Sequence, residues 1–108
     1  MVGAVHSFPN QLQKAGMNLT ERLTRYGITE REDGMLVEAS VGGSLQREIR
    51  ILGHGAMTRL VLSDGSELPD GRSTWRPVGR KTLLWWISQG NPIADWLLAR
   101  GVDPAGVV

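Results

Sequence analysis

The stretch Lys81-Thr82-Leu83-Leu84-Trp85-Trp86-Ile87-Ser88-Gln89-Gly90-Asn91-Pro92-Ile93-Ala94-Asp95-Trp96-Leu97-Leu98-Ala99-Arg100-Gly101, residues 81–101, decides how this chain folds. Its pattern predicts a helix from about Lys81 to Gln89, stopped at Gly90. Asn91 can cap a second helix whose first position is taken by Pro92, where the fixed φ and missing N–H do no harm. That helix runs to Arg100 and closes at Gly101. The pair is a helical hairpin carrying Trp85, Trp86 and Trp96, three of the four tryptophans of the chain. It is apolar almost all round, and one aromatic side chain can bury roughly 150–250 Å², so this hairpin dominates the energetics of folding or of association.

Just upstream, no acidic residue occurs between Asp70 and Asp95, while Arg72, Arg76, Arg80 and Lys81 gather around Trp75. Guanidinium groups pair with phosphates or carboxylates, and an indole can stack on a base, so this basic patch is a candidate clamp for a nucleic-acid backbone. The same charges suit an edge strand kept from pairing with other chains. Four of them are few beside the six to ten phosphate contacts of strong binders.

Further upstream the period is that of strands. Met35, Val37, Ala39 and Val41 alternate with Leu36, Glu38 and Ser40, and Gly42-Gly43 marks a turn. Leu45, Ile49 and Ile51 alternate with Gln46, Glu48 and Arg50, which predicts a strand with one wet face. Gly53-His54-Gly55 breaks the pattern, and Met57 to Leu62 makes a third strand, apolar on both faces near its end and so more central. Asp64-Gly65 and Asp70-Gly71 are hairpin signals; Glu67 and Leu68 form a stub cut short by Pro69. Arg72 to Val78 is an edge strand ended by Pro77.

Before the strands, Asn18 can cap a helix with Glu21 three residues on, Leu19, Leu23 and Tyr26 on one face, and Gly27 past its end. Pro9 opens a weaker helix ending at Gly16, and residues 1–8 read as an irregular arm. The chain is therefore expected to be one α+β domain over residues 1–108. It has short N-terminal helices, a Gly-rich antiparallel meander of three to five strands that could close into a small barrel, a C-terminal helical hairpin, and a tail over 102–108.

Composition narrows the function classes. The chain has 108 residues, 41% apolar and 21% charged, which is ordinary for a single globular domain. A net charge of +1 excludes a globally basic nucleic-acid binder while allowing a local patch. Without cysteine there are no disulfides, thiolate metal sites or cysteine nucleophiles. The first residues lack a basic, apolar signal pattern, and the longest apolar run, Leu83–Ile87, is far short of a membrane span. The expected setting is the cytoplasm or a particle such as a virion.

Catalytic and metal motifs are wanting. His6 and His54 lie too far apart for ligand spacing, and His54, between two glycines, reads as a loop residue. No serine sits in a G-x-S-x-G elbow, and the glycine pairs match neither a P-loop nor a dinucleotide fingerprint. Glu30, Glu32 and Asp33, interleaved with Arg31, read as a solvated cluster. The expectation is a non-enzyme with no cofactor, no metal and no small-molecule substrate. It is read as a structural or assembly subunit, of phage-particle type, whose interface is Leu83, Trp85, Trp86, Trp96 and Leu97 with the basic residues as a rim. The partner is a protein or a second copy. The alternative is a small nucleic-acid-binding regulator that uses the basic patch.

Overall fold

A computed structural model describes residues 18–40 and 42–107. The expected arm, the Pro9–Gly16 helix, His6 and Val41 lie outside the described residues. The first described helix, α1 (Leu19–Arg25), begins where expected: the Asn18 side chain accepts a hydrogen bond from the Glu21 N–H at 2.8 Å. This satisfies one of the donors that a helix N-terminus leaves unpaired.

Five strands follow α1: β1 (Ile28–Glu30), β2 (Leu36–Ala39), β3 (Leu45–Leu52), β4 (Gly55–Leu62) and β5 (Arg76–Pro77). They form one antiparallel sheet in the order β1-β2-β3-β4-β5, so every neighbour in sequence is a neighbour in space. The meander stays open and does not close into a barrel. Closure needs the first and last strands to pair, and here they are stubs at opposite edges. The expected edge strand over 72–78 is only two residues long, because residues 71–74 are taken up by a turn in which the Thr74 N–H donates to the Gly71 carbonyl at 3.1 Å. β1 lies in the short segment after Gly27 for which the alternation pattern singles out no strand.

The helical hairpin forms as read. α2 (Arg80–Ser88) and α3 (Pro92–Ala99) are joined through Gly90 and Asn91, and the Asn91 side chain accepts from the Ile93 N–H at 2.9 Å. Both helices end in the same way. The Gly90 N–H donates to Ile87 and the Asn91 N–H to Trp86, at 3.1 and 2.9 Å. Gly101 and Val102 repeat this on Leu98 and Leu97, at 3.1 and 3.0 Å. Such paired bonds need a residue with positive φ, and Gly90 and Gly101 supply it at +68° and +88°.

Register assigns the faces. Ile28 pairs with Glu38, Leu36 with Ile49, Ile49 with Thr58, and Ile51 with Ala56. Leu36 and Ile49 are therefore on one face, and both are fully buried in a core with Leu83, Trp86, Ile93, Trp96 and Leu97 from the hairpin and Leu23 from α1. The alternation in β2 thus has the opposite sense to the expected one: Leu36, not Val37, reaches the core. The opposite face is not wet in the middle. Glu48, expected toward water, is 3% exposed, paired with Arg59 at 2.7 Å and Arg31 at 3.4 Å.

α3 is sheltered on several sides. It neighbours both α1 and α2, and Arg22 of α1 donates to Asp95 at 2.6 Å and to the Gly90 carbonyl at 3.2 Å. Two residues of the stretch expected as a tail belong to the core. Val102 and Val107 are buried around a short 3₁₀ turn, Pro104–Gly106. The Arg80 Nε–H is shared between the carbonyls of Pro104 and Val107, each at 3.0 Å.

Candidate interaction surfaces

The hairpin residues expected at an interface divide into two sets. Leu83, Trp86, Trp96 and Leu97 face inward and are 0–5% exposed. Their apolar area is consumed by the chain's own core, which also takes in Leu23 of α1 and Val102 and Val107 around the C-terminal turn. Trp85 faces outward and is 59% exposed. Leu84, Ile87 and Leu98 are also exposed. On α2, Lys81 and Trp85 are four residues apart, as are Leu84 and Ser88, so these side chains cover the outer face while Leu83 and Trp86 point to the core. Tertiary packing decides which Leu–Trp pair is buried; both faces of α2 carry one, and the outer face adds the polar Lys81, Thr82 and Ser88.

The basic patch is likewise dispersed. Arg80 is tied to the C-terminal turn, as above, and Lys81 sits on the outer face of α2. Trp75 lies among arginines from a different region: the guanidinium carbons of Arg50 and Arg59 are 4.3 and 4.7 Å from its ring centroid. This cation–π contact draws both arginines onto the indole. It also engages the ring surface that base stacking would require.

Arg72 and Arg76 do meet, at a place the linear pattern does not show. With Arg47, Thr58, Arg59, Leu60 and Thr74 they line a cavity of about 220 Å³ between β3, β4 and the segment that leads into β5. Register places Arg47 opposite Leu60 and Thr58 opposite Arg76, so these four side chains share one face. Arg59 pairs across the ladder with Glu48 and belongs to the other face. The segment itself is pinned by buried Ser73: its hydroxyl donates to the Leu60 carbonyl and accepts from the Leu68 N–H, both at 2.7 Å.

Two arginines of the cavity are held from behind. Arg47 Nε meets Glu38 at 3.4 Å and Arg72 Nε meets Asp70 at 2.7 Å. The Arg72 backbone N–H, and then its guanidinium, hold the Asp70 carboxyl below the usual aspartate range. In both pairs the terminal nitrogens of the fork have no protein partner among the described residues. The Arg76 side chain has neither ion pair nor hydrogen bond among them. Beside it the Thr58 hydroxyl is buried without a hydrogen-bond partner. A buried polar group left unpaired costs about 1–3 kcal/mol.

A second concavity, about 370 Å³, lies between the β3–β4 turn and the C-terminal turn. His54 is on its rim with Leu52, Met57, Pro77, Val78 and Val107, and no carboxylate is among its lining residues. An acid–base pair at His54 therefore has no second member there. Among the described residues no group of three His, Asp or Glu could hold a metal ion, and no helix is long and apolar enough to cross a membrane. No family model matches the chain, and neither a curated protein nor a solved structure matches it.

Proposed function

We propose that this protein is a non-catalytic association subunit that docks through the outer face of α2, with Trp85 as its anchor. The observation that carries this reading is the contrast between adjacent tryptophans: the core is completed by Trp86 and Trp96, and Trp85 remains 59% exposed beside exposed Leu84. Trp is the residue type most enriched among interface hot spots, where it is desolvated by a partner. A stable interface covers about 800 Å² on each side. The few apolar side chains of this face are therefore an anchor, and polar neighbours such as Lys81 and Ser88 form the rim. The basic residues first assigned to that rim serve elsewhere, apart from Lys81.

Association with a second copy or with a neighbouring subunit of a particle uses the same anchor. Light scattering on size-separated wild type and Trp85→Ala distinguishes them. Self-association gives a mass that rises with concentration in the wild type and stays monomeric in the variant. A heterologous partner gives companions that co-purify with wild type and are lost from Trp85→Ala. A monomeric wild type whose companions survive the substitution overturns the proposal.

A further inference from the structure

The cavity between β3 and β4 is independent of α2, and its donors are unusually idle. Four arginines line about 220 Å³ together with Thr58 and Thr74; Arg59 is committed to Glu48 and Glu67, which leaves Arg47, Arg72 and Arg76. The Arg72 Nε–H donates to Asp70 at 2.7 Å and the Arg47 Nε lies in an ion pair 3.4 Å from Glu38, and no hydrogen bond reaches the terminal nitrogens of either among the described residues. That arrangement orients a guanidinium while sparing the planar pair of N–H groups that fits a tetrahedral oxyanion. Arg76 has its whole fork available. Thr58, which lines the same cavity, carries a buried hydroxyl without a hydrogen-bond partner, a neutral donor that is not already spent.

We propose that this cavity binds a single phosphoryl group, as inorganic phosphate or as the phosphate of a small monoester. Arg47, Arg72, Arg76 and Thr58 are its donors. The size of the cavity lies below the roughly 300–1,000 Å³ of pockets that enclose whole drug-sized ligands, which suits a headgroup with the rest of the molecule outside. A nucleic-acid backbone fits less well, for two reasons. The flanks carry the carboxylates of Glu38 and Asp70, which repel the next phosphates of a polymer. The nearby indole, Trp75, is already engaged by Arg50 and Arg59, with which a stacking base would have to compete.

The test is a titration of the full chain, followed by amide NMR and calorimetry, with inorganic phosphate, a simple alkyl phosphate and a single-stranded oligonucleotide as separate probes. Phosphate or the alkyl phosphate should bind saturably and shift the resonances of residues 47, 58, 72 and 76. Removing one charged donor with Arg76→Ala should weaken binding about tenfold. Thr58→Val should also weaken it while leaving the fold as stable as wild type or more so, because the hydroxyl it removes has no partner. If the alkyl phosphate binds and inorganic phosphate does not, the site is for a monoester; equal binding assigns it to the free ion. An oligonucleotide that binds far more tightly than either, with a steep salt dependence, overturns the single-phosphoryl assignment in favour of a polymer. Absence of saturable binding, or binding indifferent to both substitutions, overturns the site itself.

Discussion

Trp85→Ala and Trp86→Ala remove the same atoms from adjacent positions of one helix and should have opposite consequences. Trp86 is 5% exposed and sits among Leu83, Ile93 and Leu97. Burying nearly all of a side chain of about 200 Å² at about 25 cal/mol per Å² corresponds to about 4–5 kcal/mol, in line with the usual cost of truncating a core aromatic. Trp85 is 59% exposed, so only about two-fifths of its area is withdrawn from water. The same arithmetic gives about 2 kcal/mol, reduced to about 1 kcal/mol because alanine is the better helix former and the denatured chain already shelters part of the indole. Urea unfolding followed by far-ultraviolet circular dichroism, which does not depend on the deleted fluorophore, measures both. The expected result is a midpoint near wild type for Trp85→Ala and a folded state close to its limit for Trp86→Ala. Equal losses in the two variants would refute the assignment of inner and outer faces of α2, and with it the anchor.

Three further outcomes follow from single contacts. Arg59→Ala should cost about 3 kcal/mol by urea unfolding, since it strands the buried Glu48 carboxylate with only the more distant Arg31; replacing Glu48 and Arg59 together by Val and Met should recover most of that loss. Gly90→Ala should cost about 1–2 kcal/mol in thermal or urea unfolding, entirely from backbone strain at φ +68°, because a Cβ there meets nothing within 4 Å. The Asp64 carboxyl is held below its ordinary value of 3.8, first by the Ser66 hydroxyl and then by the Ser66 N–H. Its folded form is thus favoured above the unfolded value, and that contribution fades as pH falls below 3.8 through the lower folded value. Carboxyl-carbon NMR should place the Asp64 midpoint below 3.8, and Ser66→Ala should move it upward.

The sequence alone determined the elements whose signals are local. Caps act within one turn, and Asn18, Asn91-Pro92, Gly90 and Gly101 all sit where their short-range chemistry placed them. The long strands β3 and β4 were legible because a period of two needs only neighbouring residues. What required the tertiary structure was whatever depends on partners distant along the chain. The inward turn of Leu36 rather than Val37 is set by pairing with Ile49, and a one-residue difference in register reverses a strand's faces. Glu48 could be buried only because Arg59 and Arg31 arrive beside it. The division between Trp85 and Trp86 follows from where α1, α3 and the last residues pack. The gathering of Arg47 with Arg72 and Arg76 depends on bringing the segment before β5 alongside β4. Charge and apolarity are carried by residues, whereas exposure and proximity belong to the folded arrangement, and both candidate surfaces of this protein are defined by exposure and proximity.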